Sequence, residues 1–338
     1  MKRYHVYGLG AALVDTEIEV TDTDLNAMQV EKGVMTLVDE VRQHELLQHL
    51  SGHLVHSRRA SGGSAANSII GVSQFGGRAY YSCRVADDEN GHFYLEDMQA
   101  AGVDCFQDRS NMHGITGKCL VMITPDAERT MNTFLGASAA LSTSDLEPDA
   151  IIASEYLYLE GYLVTSPDGR AAAIRAREIA AQNGVKTALS FSDPGIVAHF
   201  KTGLQEMIGQ RIDLVFCNQH EALSWANTKD LDTAVTTLKS VARQFAITLG
   251  GDGALLFDGE CTHRVAAFPV KPIDTNGAGD MFAGAFLYGI THGLDFPTAG
   301  KLASLSAATV VSDYGPRLTR AQQQQILQQL QLQPRAKA

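Results

Sequence analysis

The chain has 338 residues, 45% of them hydrophobic and 19% charged, ordinary globular proportions that exclude a disordered or fibrous protein. Its 27 Lys and Arg against 38 Asp and Glu leave a net charge of −11, which repels nucleic acid and anionic lipid and favours a small-molecule partner. Five scattered cysteines (Cys83, Cys105, Cys119, Cys217, Cys261), no apolar run of membrane-spanning length and no signal-peptide core predict a cytoplasmic protein.

Along the chain, short apolar runs at 4–10, 78–82, 156–160, 186–190, 214–217 and 245–249 read as strands. Between them, 38–50, 65–74, 91–101, 167–183, 231–243, 278–292 and 296–312 carry apolar residues at helical spacing. This alternation predicts right-handed crossovers and a mostly parallel sheet covered on both faces. Two stretches, 14–36 and 105–134, lack helical period, and alternation at 119–124 suggests a small accessory sheet; two long surface loops are the alternative. The glutamine-rich tail from Thr319 reads as a terminal amphipathic helix.

Asp274-Thr275-Asn276-Gly277-Ala278-Gly279-Asp280 precedes an apolar helix pattern. Gly277, Ala278 and Gly279 leave the backbone N–H groups free to converge on an oxyanion, and the helix dipole adds to them. Asp280 in the first helical turn suits a structural role, yet beside a phosphate cradle it is better placed as a general base for an attacking hydroxyl. A second cluster, Ser61-Gly62-Gly63-Ser64-Ala65-Ala66-Asn67, also opens a helix and allows close ligand approach; the alternative is an ordinary loop capped by Ser64. A third, Thr248-Leu249-Gly250-Gly251-Asp252-Gly253, follows a strand at its carboxyl end, where α/β sheets bind ligands, and also suits a tight turn. Asn218 and Glu221, after strand 214–217, are spaced to reach a hydrated Mg²⁺ or simply to start a helix.

Other patterns fail on inspection. Gly8-Leu9-Gly10 lacks the third glycine of a dinucleotide fingerprint, and Gly117-Lys118-Cys119 lacks both the spacing and the hydroxyl of a Walker loop. His44, His49, His53 and His56 are interrupted by Ser51-Gly52, so solvated histidines are expected rather than a zinc site.

The Gly-Gly-x-x-x-Asn segment at 62–67 together with 274–280 resembles the paired signatures of the ribokinase, or PfkB, carbohydrate-kinase family, and the likeness spans nearly the whole chain. It implies a ribokinase-like three-layer α/β fold, with a large catalytic unit of residues 1–13, 37–104 and 135–338 and a small β lid of 14–36 and 105–134. Gly10-Ala11-Ala12-Leu13-Val14-Asp15, Arg129-Thr130-Met131-Asn132 and Asn276 look most like the family's adenosine-phosphorylating members. The resemblance implies an ATP-dependent kinase acting on the 5′-hydroxyl of a ribonucleoside, adenosine foremost. A sugar kinase and a non-catalytic nucleotide-binding protein are the alternatives. By the same resemblance Asp280 is the base, with Gly277, Ala278 and Gly279 around the transferring group. Arg129 comes from the lid to bind phosphate. Asp15 holds the ribose diol, Gly62, Gly63, Asn67 and Asn276 complete the acceptor site, and Asn218, Thr248, Gly250, Gly253, Gly277 and Gly279 line the nucleotide. Asn218 and Glu221 organise Mg²⁺, through water. Where these relatives often carry an Asn that helps read the base, this chain has Ala11. A monovalent cation held by backbone carbonyls near 274–276 and 312–315, and a monomer or a homodimer, are both compatible with the likeness.

Overall fold

A computed structural model describes residues 2–53, 59–105 and 113–332. Nine strands form one large sheet. β1 (Tyr4–Leu9) lies between β5 (Ala79–Ser82) and β9 (Ser154–Glu160). Outward from β9 follow β10 (Lys186–Ser190), β11 (Ile212–Asn218) and β12 (Ala242–Thr248), all parallel. β13 (Ala254–Phe257) and β14 (Thr262–Val265) close that edge antiparallel, and β6 (Val103–Cys105) closes the other in parallel.

Both faces of this sheet are apolar because successive residues alternate sides. Val6, Tyr156, Tyr158, Leu214 and Phe216 pack beneath α3 (Ser64–Gln74), α4 (Glu89–Ala100), α10 (Ala278–Thr291), α11 (Phe296–Val310) and α12 (Arg320–Gln329). Their neighbours Tyr7, Leu157, Leu159, Leu189 and Val215 face α5 (Pro148–Ile152), α6 (Pro167–Gln182), α7 (Pro194–Ile208), α8 (Gln219–Ala226) and α9 (Leu231–Val241). The expected three-layer α/β fold is therefore present. Some elements differ from the sequence reading. The helix expected to reach 243 ends at Val241, and Ala242 already pairs with Ile212. α7 went unrecognised although Ile196, Val197, Phe200, Leu204, Met207 and Ile208 keep helical spacing; Gly203 within it is a packing residue, since a Cβ there would lie 2.3 Å from Val164 Cγ2. Among the described residues no helix is long and apolar enough to cross a membrane.

The irregular stretches do form a second sheet, of five strands in the order β3 (Met35–Leu37), β8 (Arg129–Phe134), β7 (Gly117–Ile123), β2 (Leu13–Glu19), β4 (Ala60–Gly62). Residues 106–112 of the second stretch lie outside the described residues. Two elements between 37 and 104 sit with this sheet. β4 pairs antiparallel with β2, and α2 (Glu40–His49) places Leu46 in a cluster with Ile18, Leu120, Met122 and with Leu25 of α1 (Asp22–Ala27). The opposite face carries Cys119, Val121 and Ile123, and on β2 the alternating acids Asp15, Glu17 and Glu19. Period-2 alternation thus turns three carboxylates of one strand toward the large unit.

Candidate active site

The start of α10 is a wall between two cavities. Asn276 and Asp280 line a cleft between the two sheets, while Thr275, Ala278 and Gly279 line its neighbour. The wall has a glycine where the chain turns: Gly277 is left-handed (φ 72°), and a Cβ on it would lie 2.3 Å from Pro316 Cβ. At Gly279 an added Cβ would meet no atom within 4 Å, so its surroundings are open toward the second cavity. That cavity also holds Thr248, Gly250 and Gly253, the last two bounding a 3₁₀ turn between β12 and β13, so the glycine cluster is both a tight turn and a cavity wall. A helix start with open space and small residues before it is the feature that admits a phosphate chain.

The first cleft gathers Asp15, Gly63, Asn67, Arg129, Asn276 and Asp280. Gly62 lies just behind it, pressed against Asp15: a Cβ there would lie 2.1 Å from the carboxylate. Asp280 Oδ1 accepts from Ser64 Oγ at 2.7 Å and Oδ2 from Asn67 Nδ2 at 3.0 Å. Burial raises the Asp280 pKa, opposed by those two hydrogen bonds and by the Arg129 charge. A carboxylate so held is aimed, desolvated and moved toward working pH, as a general base requires. Asn67 itself is 3% exposed and its Oδ1 is buried without a partner.

The other carboxylates are desolvated too. Burial pushes Asp15 up to about 8, helped by Glu17 and Asp280 and opposed by Arg317. Arg129 is the only cation lining the cleft among the described residues, and its charge acts on Asp280, Asp274 and Glu221 alike. Asn276 Nδ2 donates to Glu17 Oε1 at 3.3 Å, and Thr275 Oγ1 donates to the carbonyl of Ala127 at 3.1 Å, so the small sheet rests on the same loop.

Asn218 and Glu221 are a reciprocal capping box at the head of α8: the backbone N–H and Nδ2 of Asn218 both donate to Glu221, each at 2.8 Å, and Asn218 Oδ1 accepts from the Glu221 N–H. Neither lines the two cavities above. Burial pushes Glu221 up to about 7, with Asp193 and Asp280 adding to the effect and Arg129 opposing it. No three His, Cys, Asp or Glu side chains converge as a metal cage among the described residues. Such an arrangement fits Mg²⁺ that keeps its water and is carried on substrate phosphates, the usual mode for that ion. Of the histidine group, His56 lies outside the described residues, His53 sits 3.4 Å from Asp24, and His44 pairs with Gln48.

Sequence reasoning missed three participants. Ser64 does not cap α3; Gly63 is the cap residue, and Ser64 instead serves Asp280. Glu17 was detectable from the Asp15-Glu17-Glu19 alternation. Glu160 stands at the carboxyl end of β9, directly after four apolar residues, is 1% exposed, and lines the cleft. Its position after Tyr156-Leu157-Tyr158-Leu159 was the available signal.

A three-layer α/β scaffold with a glycine-rich helix start dividing two cavities defines a kinase of small molecules. The pfkB family carbohydrate kinase model matches residues 33–323, and the chain belongs to that family. It is a phosphotransferase with an alcohol group as acceptor. It is 29% identical to adenosine kinase of Saccharomyces cerevisiae, over 91% of this chain and 95% of that protein. To 5-dehydro-2-deoxygluconokinase 1 of Bacillus cereus it is 27% identical, over 75% and 80%. Among solved structures, adenosine kinase from Sinorhizobium meliloti superposes with a TM-score of 0.90 at 34% identity, and a probable sugar kinase protein from Rhizobium etli CFN 42 with 0.91 at 33%, each covering 97% of this chain and 99% of the other.

Proposed function

We propose that this kinase transfers the terminal phosphoryl group of ATP to the 5′-hydroxyl of a ribonucleoside, adenosine foremost, giving AMP and ADP. The single observation that carries the reading is the α10 wall, with a proton acceptor facing one cavity and the small residues Ala278 and Gly279 of the helix start facing the other. In this reading the acceptor occupies the first cleft. Asp15 accepts from the ribose diol, and the unpartnered Oδ1 of Asn67 takes a further hydroxyl. Leu13, Met35, Leu37, Met131 and Leu135 supply the apolar lining a planar base needs. Asn276 borders the base-bearing side, and Ala11 leaves base recognition to these apolar contacts.

Asp280 takes the proton as the 5′-oxygen bonds to phosphorus and the bond to the ADP oxygen breaks. Amides of Gly277, Ala278 and Gly279 and the fixed charge of Arg129 stabilise the transferring group. Thr248, Gly250 and Gly253 hold the nucleotide, and Asn218 and Glu221 would hold water-shelled Mg²⁺ near its phosphates. When bound, that ion neutralises phosphate charge. Asp274 ties Asn276 and Gly315 together through two backbone N–H bonds, of 2.8 and 3.1 Å, and in this reading a monovalent cation would sit among the backbone carbonyls of these segments.

The test couples ADP release to adenosine, inosine, guanosine, ribose, fructose and fructose 6-phosphate, with K⁺ and then a bulky organic cation as counter-ion. Adenosine is expected to have the highest kcat/KM, and a hexose ahead of every nucleoside overturns the reading in favour of a sugar kinase, the second reading, which the Rhizobium etli likeness supports. Asp280→Asn in the same assay is expected to lose more than about 10²-fold in kcat with ATP affinity retained.

A further inference from the structure

Helix α3 starts without the side chain that normally closes a helix. Its cap residue is Gly63, at φ 101°, and no side-chain bond is made from that position. Nor could one be: a Cβ on Gly63 would lie 2.3 Å from the carbonyl oxygen of Ala11. The first N–H groups of a helix need acceptors, and α3 is buried along most of its length, so water cannot supply them all. The acceptor comes from across the cleft. Glu160 Oε2 accepts from the N–H of Ala65 at 2.9 Å, in the first turn of α3. Its Oε1 accepts from the N–H of Ala11 at 2.7 Å, on the link by which the chain leaves the large sheet for the small one. Both oxygens of one buried carboxylate are thus spent on backbone, and Gly10 makes room for it, since a Cβ there would lie 2.5 Å from Oε2.

The first turn of α3 carries Ser64, and the next carries Asn67, the two residues that hold Asp280. Moving the head of α3 moves both. We infer that Glu160 is a positioning residue: it caps α3 from outside and fastens that cap to the 10–12 link, and thereby keeps the Ser64 and Asn67 side chains registered on Asp280. The inference rests on the proposed role of Asp280 as base.

Glu160→Gln is the informative variant, because an amide keeps the size but offers one acceptor, so one of the two N–H groups must lose its partner. Glu160→Ala removes both. With whichever acceptor the panel shows to be turned over, kcat is expected to fall about 10- to 100-fold, the penalty of a small misplacement, while KM for ATP stays within about twofold. In a cycle with Ser64→Ala, the double variant Glu160→Gln/Ser64→Ala should lose less than the product of the single losses, since both act through one carboxylate. Hydrogen exchange should rise at the Ala65 and Ala11 amides in Glu160→Ala. Unchanged kcat with only a lower melting temperature overturns the inference. So does a rise in acceptor KM at constant kcat, which would make Glu160 a direct acceptor contact, and so do multiplicative losses in the cycle. If adenosine fails but a hexose is phosphorylated, the nucleoside reading falls and this one is still decided, with the hexose.

Discussion

Asp15 shows how one buried carboxyl couples binding to stability. Its pKa, near 3.8 when solvated, is pushed up to about 8 in the folded protein, chiefly by burial. A group whose pKa rises on folding holds its proton more tightly when folded, so its contribution is complete at low pH and is lost as pH climbs through the folded value. Glu160 and Glu221, both pushed up to about 7, act in the same direction. His5, lowered to about 4 by burial, acts the opposite way, but only below its ordinary value of 6.5. The ligand-free enzyme is therefore expected to lose melting temperature between pH 6.5 and 8.5. Asp15→Asn should shrink that loss, melt above the parent at pH 8.5, and bind acceptor more weakly; a slope equal to the parent's would refute the assignment. The residue types at this site were legible from the glycine-rich signatures. For Glu160 only its place after an apolar run was legible; its role was not, because that role is a pair of backbone partners at positions 11 and 65, a relation that spacing along one strand does not contain.

At the scale of an element, the two glycines opening α10 do different work, and the same substitution separates them. Gly277→Ala forces a methyl group into Pro316 from a left-handed backbone, and is expected to cost more than about 1 kcal/mol in denaturant unfolding. Gly279→Ala puts a methyl into open space at an ordinary helical position, so folding stability should hold or rise slightly. The methyl then stands where phosphate is proposed to approach, and KM for ATP should rise about tenfold or more. Equal stability losses for both, or unchanged ATP kinetics in Gly279→Ala, would contradict the assignment. Most elements were readable from period alone, since a parallel sheet buried on both faces leaves continuous apolar runs. β4 was not: three residues, Ala60–Gly62, carry no period, and only their pairing with Leu13–Asp15 makes them a strand.

At the scale of the whole molecule, the small sheet rests on the loops before and after α10 and α11 through Thr275 with Ala127, Asn276 with Glu17, and Tyr314 with Glu19. Such contacts suit a lid that shuts out water, a competing phosphoryl acceptor. ATP hydrolysis without acceptor should stay close to the enzyme-free blank, and Thr275→Val, which deletes one contact, should raise idle hydrolysis relative to transfer; brisk hydrolysis by the parent would argue against closure. The small sheet also has a consequence for biosynthesis. Leu13, at the start of β2, finds its parallel partner only at Gly117, more than 100 residues later in the chain. A nascent polypeptide must therefore expose the β2 edge on the ribosome until β7 has emerged, and a fragment cut ahead of Gly117 would carry that edge permanently bare, an invitation to aggregate.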